Sequence, residues 1–367
     1  MYKVLLLGEY SNVHATLAEG LRALGHQVTV VSNGDFWKDY PRDIDVSRRP
    51  GKVGGIRLMA RLGKLLPRLR GYDVVQLINP LFFELKAERH YFFYDYLRKH
   101  NTRMFLGAFG MDWYWVHECV YRRPLRYSDF NIGDQLRTDP EAMKYRRDWL
   151  GTPKGELNRY IADDCDGIIT GLYEYDVCYR PSFPKKTTFI PFPIKVDHIS
   201  RRDALREEAD TALRLFIGIN RERSAYKGTD IMLRAAKDIA QKYPSRLNLQ
   251  IAESVPFSTY QQMMDHADAI LDQLYSYTPS MNALLAMSKG IVCIGGGEPE
   301  NYDIIGERSL RPIINVEPTY SSVLRAIESL VLHPELLPQL KLDSVEYIRR
   351  HHDHIEVARR YLDAWQR

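Results

Sequence analysis

The sequence has few cysteines, and their placement suits neither a disulfide framework nor a metal site. Cys119, Cys165, Cys178 and Cys293 form no C-x-x-C pair, and the last three lie in or beside apolar runs. Free buried thiols in a reducing compartment are expected. No apolar stretch approaches the length of a membrane span. The opening MYKVLLLGEY is too short for a signal h-region and carries no small-residue cleavage site, so a cytoplasmic protein is expected. Charge excess is missing too. A net charge of +4 over 367 residues argues against an obligate nucleic-acid partner, whose basic surplus is larger and clustered. There is no G-x-G-x-x-G, hence no dinucleotide fingerprint, and no low-complexity segment.

What is present is an ordinary globular composition, 45% hydrophobic and 27% charged, in a chain too long for one core. Two domains are expected. Lys3–Leu7 reads as a buried strand, Ala15–Leu24 as a helix closed by Gly25, and Gln27–Val31 as a second strand, which is a βαβ opening. Strands follow at Asp73–Ile78, Arg103–Ala108 and Gly167–Thr170, while Trp113–Asp139 is irregular and rich in aromatics and arginine. Pro191 and Pro193 stiffen the chain and mark a boundary. The second half repeats the logic, with strands at Leu213–Ile219, Leu247–Ala252, Ala269–Leu274, Gly290–Ile294 and Arg311–Asn315 separated by helices. The expected fold is α/β: two Rossmann-like parallel-sheet domains, residues 1–192 and 193–354, with the helix at 355–367 returning to the first. Ligands of such folds bind beyond the carboxyl ends of the strands, here across a cleft.

Four segments could carry function. Ile56–Leu69 reads as a helix with Arg57, Arg61, Lys64 and Arg68 opposite its apolar stripe, and Pro67 should kink or end it. Packing on its own sheet with a solvated basic face is the plainer reading; contact with anionic lipid is the functional one. The stretch FIGINRERSAYKGTDIMLRAA places a cationic loop, with Arg221 and Lys227, between a strand and a helix N-terminus, a recipe for holding an anion. The same loop read blandly is exposed charge. The triple glycine Gly295–Gly297 would let backbone approach a ligand closely, or form a plain tight loop. In GEYSNVH a lone His14, beside Ser11 and Asn12, reads as an exposed loop residue that could instead meet a phosphate. The histidines of RRHHDHIEVARR have a spacing ill suited to metal and read as a solvated face.

Three segments in order resemble a GT-B-fold glycosyltransferase of the retaining family 4 type. The opening KVLLLGEYSNVHATLAEGLRALGHQVTVVS is similar to that family's first strand, loop, helix and "GH-x-V" strand. GINRERSAYKGTDIMLRAA is similar to its "R…KG…L…A" donor-phosphate segment, and NALLAMSKGIVCIGG to its "EAMA-x-G-x-P-V-V" helix and strand. The resemblance covers nearly the whole chain. It implies a hexosyltransferase that moves a sugar from a nucleoside-diphosphate donor to a saccharide or lipid-linked acceptor, with retention, with no metal and no cofactor beyond the nucleotide sugar. It implies that Arg221 and Lys227 hold the donor pyrophosphate and that Asp112, the acid of FGMD, faces the donor sugar. Backbone at Thr278, Pro279, Ser280, Met281 and Asn282 would serve the same phosphates, with Gly8 nearby. Apart from the resemblance, Glu298 or Glu300 of GGGEPEN could supply a carboxylate there or be a plain exposed loop acid.

The departures are as informative. The family's paired glutamates would fall at Tyr277 and Leu285, and its histidine at Phe109. A catalytically impaired GT-B-like binding or complex subunit is therefore the alternative. A nucleotide-sugar epimerase or a pyridoxal-phosphate-dependent phosphorylase is a weaker third reading.

Overall fold

The computed structural model describes residues 1–196, 212–253 and 255–367. These divide into two compact units. The first comprises Met1–Pro124, Lys144–Lys195 and His354–Arg367; the second comprises Leu125–Met143 and Val196–Asp353. The chain thus enters the second unit twice. Its first visit, Leu125–Met143, falls inside the range expected for the N-terminal domain.

In chain order the strands are β1 (Lys3–Leu7), β2 (Gln27–Ser32), β3 (Ile44–Asp45), β4 (Val74–Leu77) and β5 (Arg103–Ala108). The short pair β6 (Asn131–Ile132) and β7 (Gln135–Leu136) follows, then β8 (Gly167–Thr170) and β9 (Thr187–Phe189). The later set is β10 (Leu213–Ile219), β11 (Leu247–Glu253), β12 (Ala269–Leu271), β13 (Val292–Gly295) and β14 (Ile314–Asn315).

The first unit's sheet has the order β3-β2-β1-β4-β5-β8-β9 and is parallel throughout. Leu5 is flanked by Thr29 on one side and Val75 on the other. The continuous apolar run of β1, with Val4 to Leu7 fully buried, is what a strand covered on both faces requires. Leu5, Leu7, Val75, Leu77 and Leu106 join Leu58, Leu62, Phe93 and Ile161 from the covering helices in one core. The C-terminal helix His354–Gln366 belongs to this unit, and Arg103 donates to the carbonyl of Trp365 at 2.5 Å.

The second unit's sheet runs β11-β10-β12-β13-β14, also parallel. Leu215, Ile217, Leu271 and Ile294 pack against Met232, Ala235 and Ile239 of the helix Thr229–Lys242. Both sheets are Rossmann-like, as the alternation of strand and helix predicts.

Two local expectations need correction. The basic helix runs Gly51–Leu65, starting earlier than Ile56 because the glycines at 51, 54 and 55 are helical rather than loop. Gly54 packs so closely on the Arg49 carbonyl that a Cβ there would lie 1.8 Å from it. Pro67 does end the α-helix, in a 3-10 turn at Leu66–Arg68. The C-terminal histidines are not a solvated face: His352 is buried, and His351 Nε2 meets Glu307 at 2.8 Å. All four cysteines are free and buried.

Candidate functional site

In an open parallel sheet the loops separate on either side of the point where strand order reverses, and a crevice opens there. In the second unit that point lies between β10 and β12. After β10 the chain makes a 3-10 turn at Arg221–Arg223 and a short helical turn at Ser224–Lys227, then enters the long helix through Gly228. This places Lys227 against the loop after β12: its Nζ donates to Gln273 Oε1 at 2.8 Å, and its carbonyl accepts from Leu274 N–H at 2.9 Å. Asp272 next door accepts the Ser280 N–H at 2.8 Å and the Ser280 hydroxyl. Desolvation raises the Asp272 carboxyl above its ordinary range, while the Ser280 bonds and the Lys227 charge pull it back.

Ser280 in turn caps the helix Met281–Ser288, its Oγ accepting from Ala283 N–H at 3.3 Å. The N–H groups of Met281 and Asn282, the first two of that helix, have no intrahelical acceptor by geometry. A lysine ammonium beside a helix N-terminus whose first N–H groups lack intrahelical acceptors suits a phosphate. Thr278 and Pro279 are buried behind it, the Thr278 carbonyl taking the Ser276 hydroxyl at 2.7 Å.

Arg221 is placed elsewhere. Its side chain is 81% exposed and pairs with Glu253 at the end of β11, on the opposite side of β10 from β12. The structure therefore groups Lys227, and not Arg221, with the residues 272–282. The triple glycine also has an internal explanation. A Cβ on Gly296 would lie 2.3 Å from the Ser276 carbonyl oxygen and 2.9 Å from Thr278 N, so the backbone approached so closely is the chain's own loop.

Glu298 is buried and fully engaged within this unit. It accepts the Tyr127 hydroxyl at 2.5 Å and Arg126 Nη2 at 2.7 Å, while Arg126 Nη1 reaches Glu300 at 2.5 Å. Tyr277, where the family's first glutamate would stand, is buried beneath the Arg126 guanidinium, 4.9 Å from its ring, and its hydroxyl accepts Arg126 N–H at 2.7 Å. Further along the same segment, Leu125–Met143, Arg137 donates to the Ala225 and Tyr226 carbonyls at 2.8 and 3.0 Å and lies 3.6 Å from the centre of the Tyr275 ring. Asp129 accepts the Tyr226 hydroxyl at 2.6 Å, and Glu141 meets Arg223 at 2.9 Å. Sequence reasoning saw only an arginine- and aromatic-rich irregular segment here. No motif links it to loops roughly 80 to 175 residues away.

In the first unit the strand order reverses between β1 and β4, and a cavity of about 310 Å³ opens at that point. Gly8, Glu9 and Tyr10 line it from the segment after β1, Asn33 and Phe36 from that after β2, and Ile78 with Leu81–Leu85 from that after β4. Gly8 sits at φ 83°, and a Cβ there would lie 2.2 Å from Ile78 Cγ2. Glu9, which the sequence reading passed over, is buried and accepts N–H groups from His14 at 3.3 Å and Ala15 at 2.8 Å. Its carboxyl group thus occupies the N-terminus of the helix Val13–Ala23, where a phosphate would otherwise bind. Burial pushes its pKa up to about 8.

His14 is not the exposed loop residue expected. It is buried, its Nδ1 bonded to the Gly8 carbonyl at 2.8 Å and its ring edge-on to Phe109, and burial lowers its pKa to about 3. Asp112 is buried as well. One oxygen caps the helix Trp113–His117 through Trp115 N–H at 2.9 Å, the other accepts the Tyr179 hydroxyl at 2.7 Å, and burial raises its pKa to about 7. Among the described residues no group of three or more His, Cys, Asp or Glu side chains is placed to hold a metal ion, and no helix is long and apolar enough to cross a membrane.

No family model and no curated protein matches the sequence. Solved structures do. HepE from Anabaena, in complex with UDP and glucose, aligns over 100% of both chains with a TM-score of 0.59 at 11% identity. Sucrose-phosphate synthase from Thermosynechococcus elongatus aligns over 99% of this chain and 98% of its own, with a TM-score of 0.61 at 13% identity. UDP-GlcNAc 2-epimerase from Neisseria meningitidis, bound to UDP-GlcNAc, aligns over 99% of each chain with a TM-score of 0.52 at 11% identity. At such identities the likeness is one of fold: two Rossmann-like parallel-sheet domains of the GT-B class.

Proposed function

We propose that the chain is a nucleotide-sugar-dependent glycosyltransferase. The observation that carries this reading is Lys227, held by Gln273 at the strand-order reversal of the second sheet, beside the Ser280-capped helix N-terminus. Lys227 and the Met281 and Asn282 N–H groups would neutralise the charge that develops on a nucleoside-diphosphate leaving group, without a metal. Structural neighbours solved with UDP or UDP-glucose support a donor of that class. Transfer of a hexosyl group with retention, as in family 4, is part of the proposal and rests on the sequence resemblance. Arg221 would take a peripheral part, since engaging a phosphate requires it to leave Glu253. Asp112 would act on the donor sugar only if its cap were broken, so we assign it to structure first.

The acceptor, a saccharide or a lipid-linked sugar, would enter the cavity lined by Glu9, Glu84 and aromatic walls in the first unit. Between Asp45 and Asp73 the chain has eight basic residues and no acidic one. Val53 and Ile56, on the helix bearing Arg57, Arg61 and Lys64, are 60% and 69% exposed. Basic charge interleaved with exposed apolar side chains supports peripheral contact with anionic lipid. The rival reading, a catalytically impaired binding subunit, is favoured by Tyr277 and Leu285 and by the occupation of Glu298 by Arg126.

Titration calorimetry with UDP, GDP and ADP tests the donor assignment. One of them should bind, and Lys227→Ala should weaken it about tenfold or more, the scale of one lost charge-assisted hydrogen bond. Binding without transfer or hydrolysis of the matching nucleotide sugar would favour the impaired subunit, and absence of any nucleotide binding would remove the transferase reading.

A further inference from the structure

We propose that Leu125–Met143 is a built-in clamp on the donor diphosphate grip, with Arg137 as its positioning residue; this rests on the donor-binding reading above. The flanking residues Pro124 and Lys144 belong to the first unit, yet this strap is part of the second. Its side chains reach each of the loops that follow β10, β12 and β13, through Tyr226, Tyr275, Tyr277, Glu298 and Glu300.

Arg137 is the centre of the device. A guanidinium is costly to bury, and this one is only 8% exposed. Its Nη2 donates to two carbonyls, Ala225 and Tyr226, at the end of the helical turn that delivers Lys227. Nη1 faces the Ser128 and Asp129 carbonyls of its own segment, and Asp139 supplies the counter-charge at 3.3 Å. Its face covers Tyr275, two residues past Gln273, which receives the Lys227 ammonium. One side chain therefore ties the loop carrying Lys227 to the loop carrying its partner. Asp129 holds the Tyr226 hydroxyl of the same turn. Without this tie, the lysine would keep its charge but lose its fixed place beside the helix N-terminus, and preorganised charge is worth more to a developing anion than mobile charge.

The double-mutant cycle of Arg137→Ala and Lys227→Ala, read by calorimetric titration of the intact chain with the nucleoside diphosphate it binds, tests the clamp. Arg137→Ala should weaken binding about tenfold, and add little once Lys227 is already alanine, because both act on one interaction. Arg137→Lys should restore part of the loss; a role in stability alone would predict no such pattern at temperatures well below melting. Should Arg137→Ala fail to fold, Tyr226→Phe, which removes only the hydroxyl held by Asp129, must weaken binding by about threefold. If Lys227→Ala loses binding while Arg137→Ala, or Tyr226→Phe in its place, stays at the wild-type value, the clamp is overturned and the donor reading survives. Losses that simply add in the double variant overturn it too. If the wild-type chain binds none of UDP, GDP or ADP, both fall together.

Discussion

At the scale of residues, Glu9, Asp112 and His14 of the first unit have their protonation shifted chiefly by burial. A carboxyl whose folded pKa is raised contributes stability that is complete below its unfolded value and is lost as pH rises through the folded one. For Glu9 that window runs from about 4.5 to about 8. For Asp112 it runs from about 3.8 to about 7. His14 works the other way, gaining between about 3 and 6.5 and contributing a constant amount above that. Between pH 7 and 8 Glu9 is thus still mostly protonated in the fold and carries the larger part of the remaining slope, with Asp112 adding a smaller share. We expect the melting temperature to fall across that interval, and Glu9→Gln to flatten the fall; thermal melts at pH 7 and pH 8 would check it. Asp112→Ala, which removes a cap and strands the Tyr179 hydroxyl, should cost about 1–3 kcal/mol in urea unfolding. Asp112→Asn should cost less, because an amide oxygen still caps.

At the scale of elements, the short helices and loops after β10, β12 and β13 decide the site. The Gly296 backbone lies against residues 276–278, so Gly296→Ala should displace the segment leading to the Ser280 cap. A loss of about 1–3 kcal/mol, the usual cost of overpacking, together with weaker nucleoside-diphosphate binding is the expected outcome. The helix Gly51–Leu65 is a separate matter. Replacing Arg57, Arg61, Lys64 and Arg68 by Gln should reduce co-sedimentation with anionic vesicles while leaving the melting temperature within a few degrees, since exposed charges contribute little to stability. Unchanged co-sedimentation would leave that face a plain solvated one.

At the scale of the whole molecule, each unit is closed by chain that comes from elsewhere in the sequence. The first is completed by His354–Gln366, whose Trp365 and Tyr361 are fully buried and whose His354 carbonyl lies so close to Gly20 that only glycine fits. Trp365→Ala should destabilise that unit by about 3–5 kcal/mol, the range for a buried tryptophan, and split urea unfolding into two transitions. The second unit is completed by Leu125–Met143, in the manner described for Arg137.

The sequence by itself determined the elements and much of their order. Buried parallel strands advertise themselves as short apolar runs, and Lys227 could be picked out because its cationic loop sits between a strand and a helix start. Both are local signals, spanning one loop or one strand. Only the tertiary structure decided which charges act together. Arg221 and Lys227 are six residues apart, yet the strand order β11-β10-β12 sends one to Glu253 and the other to Gln273. Arg126 and Arg137 looked like residues of an irregular loop until folding set them against Glu298 and Tyr226. His14 and Glu9 looked exposed or unremarkable until a helix N-terminus and the sheet buried them. Periodicity is written along the chain, whereas burial and pairing are set by which strands become neighbours, and that is a property of the sheet as a whole.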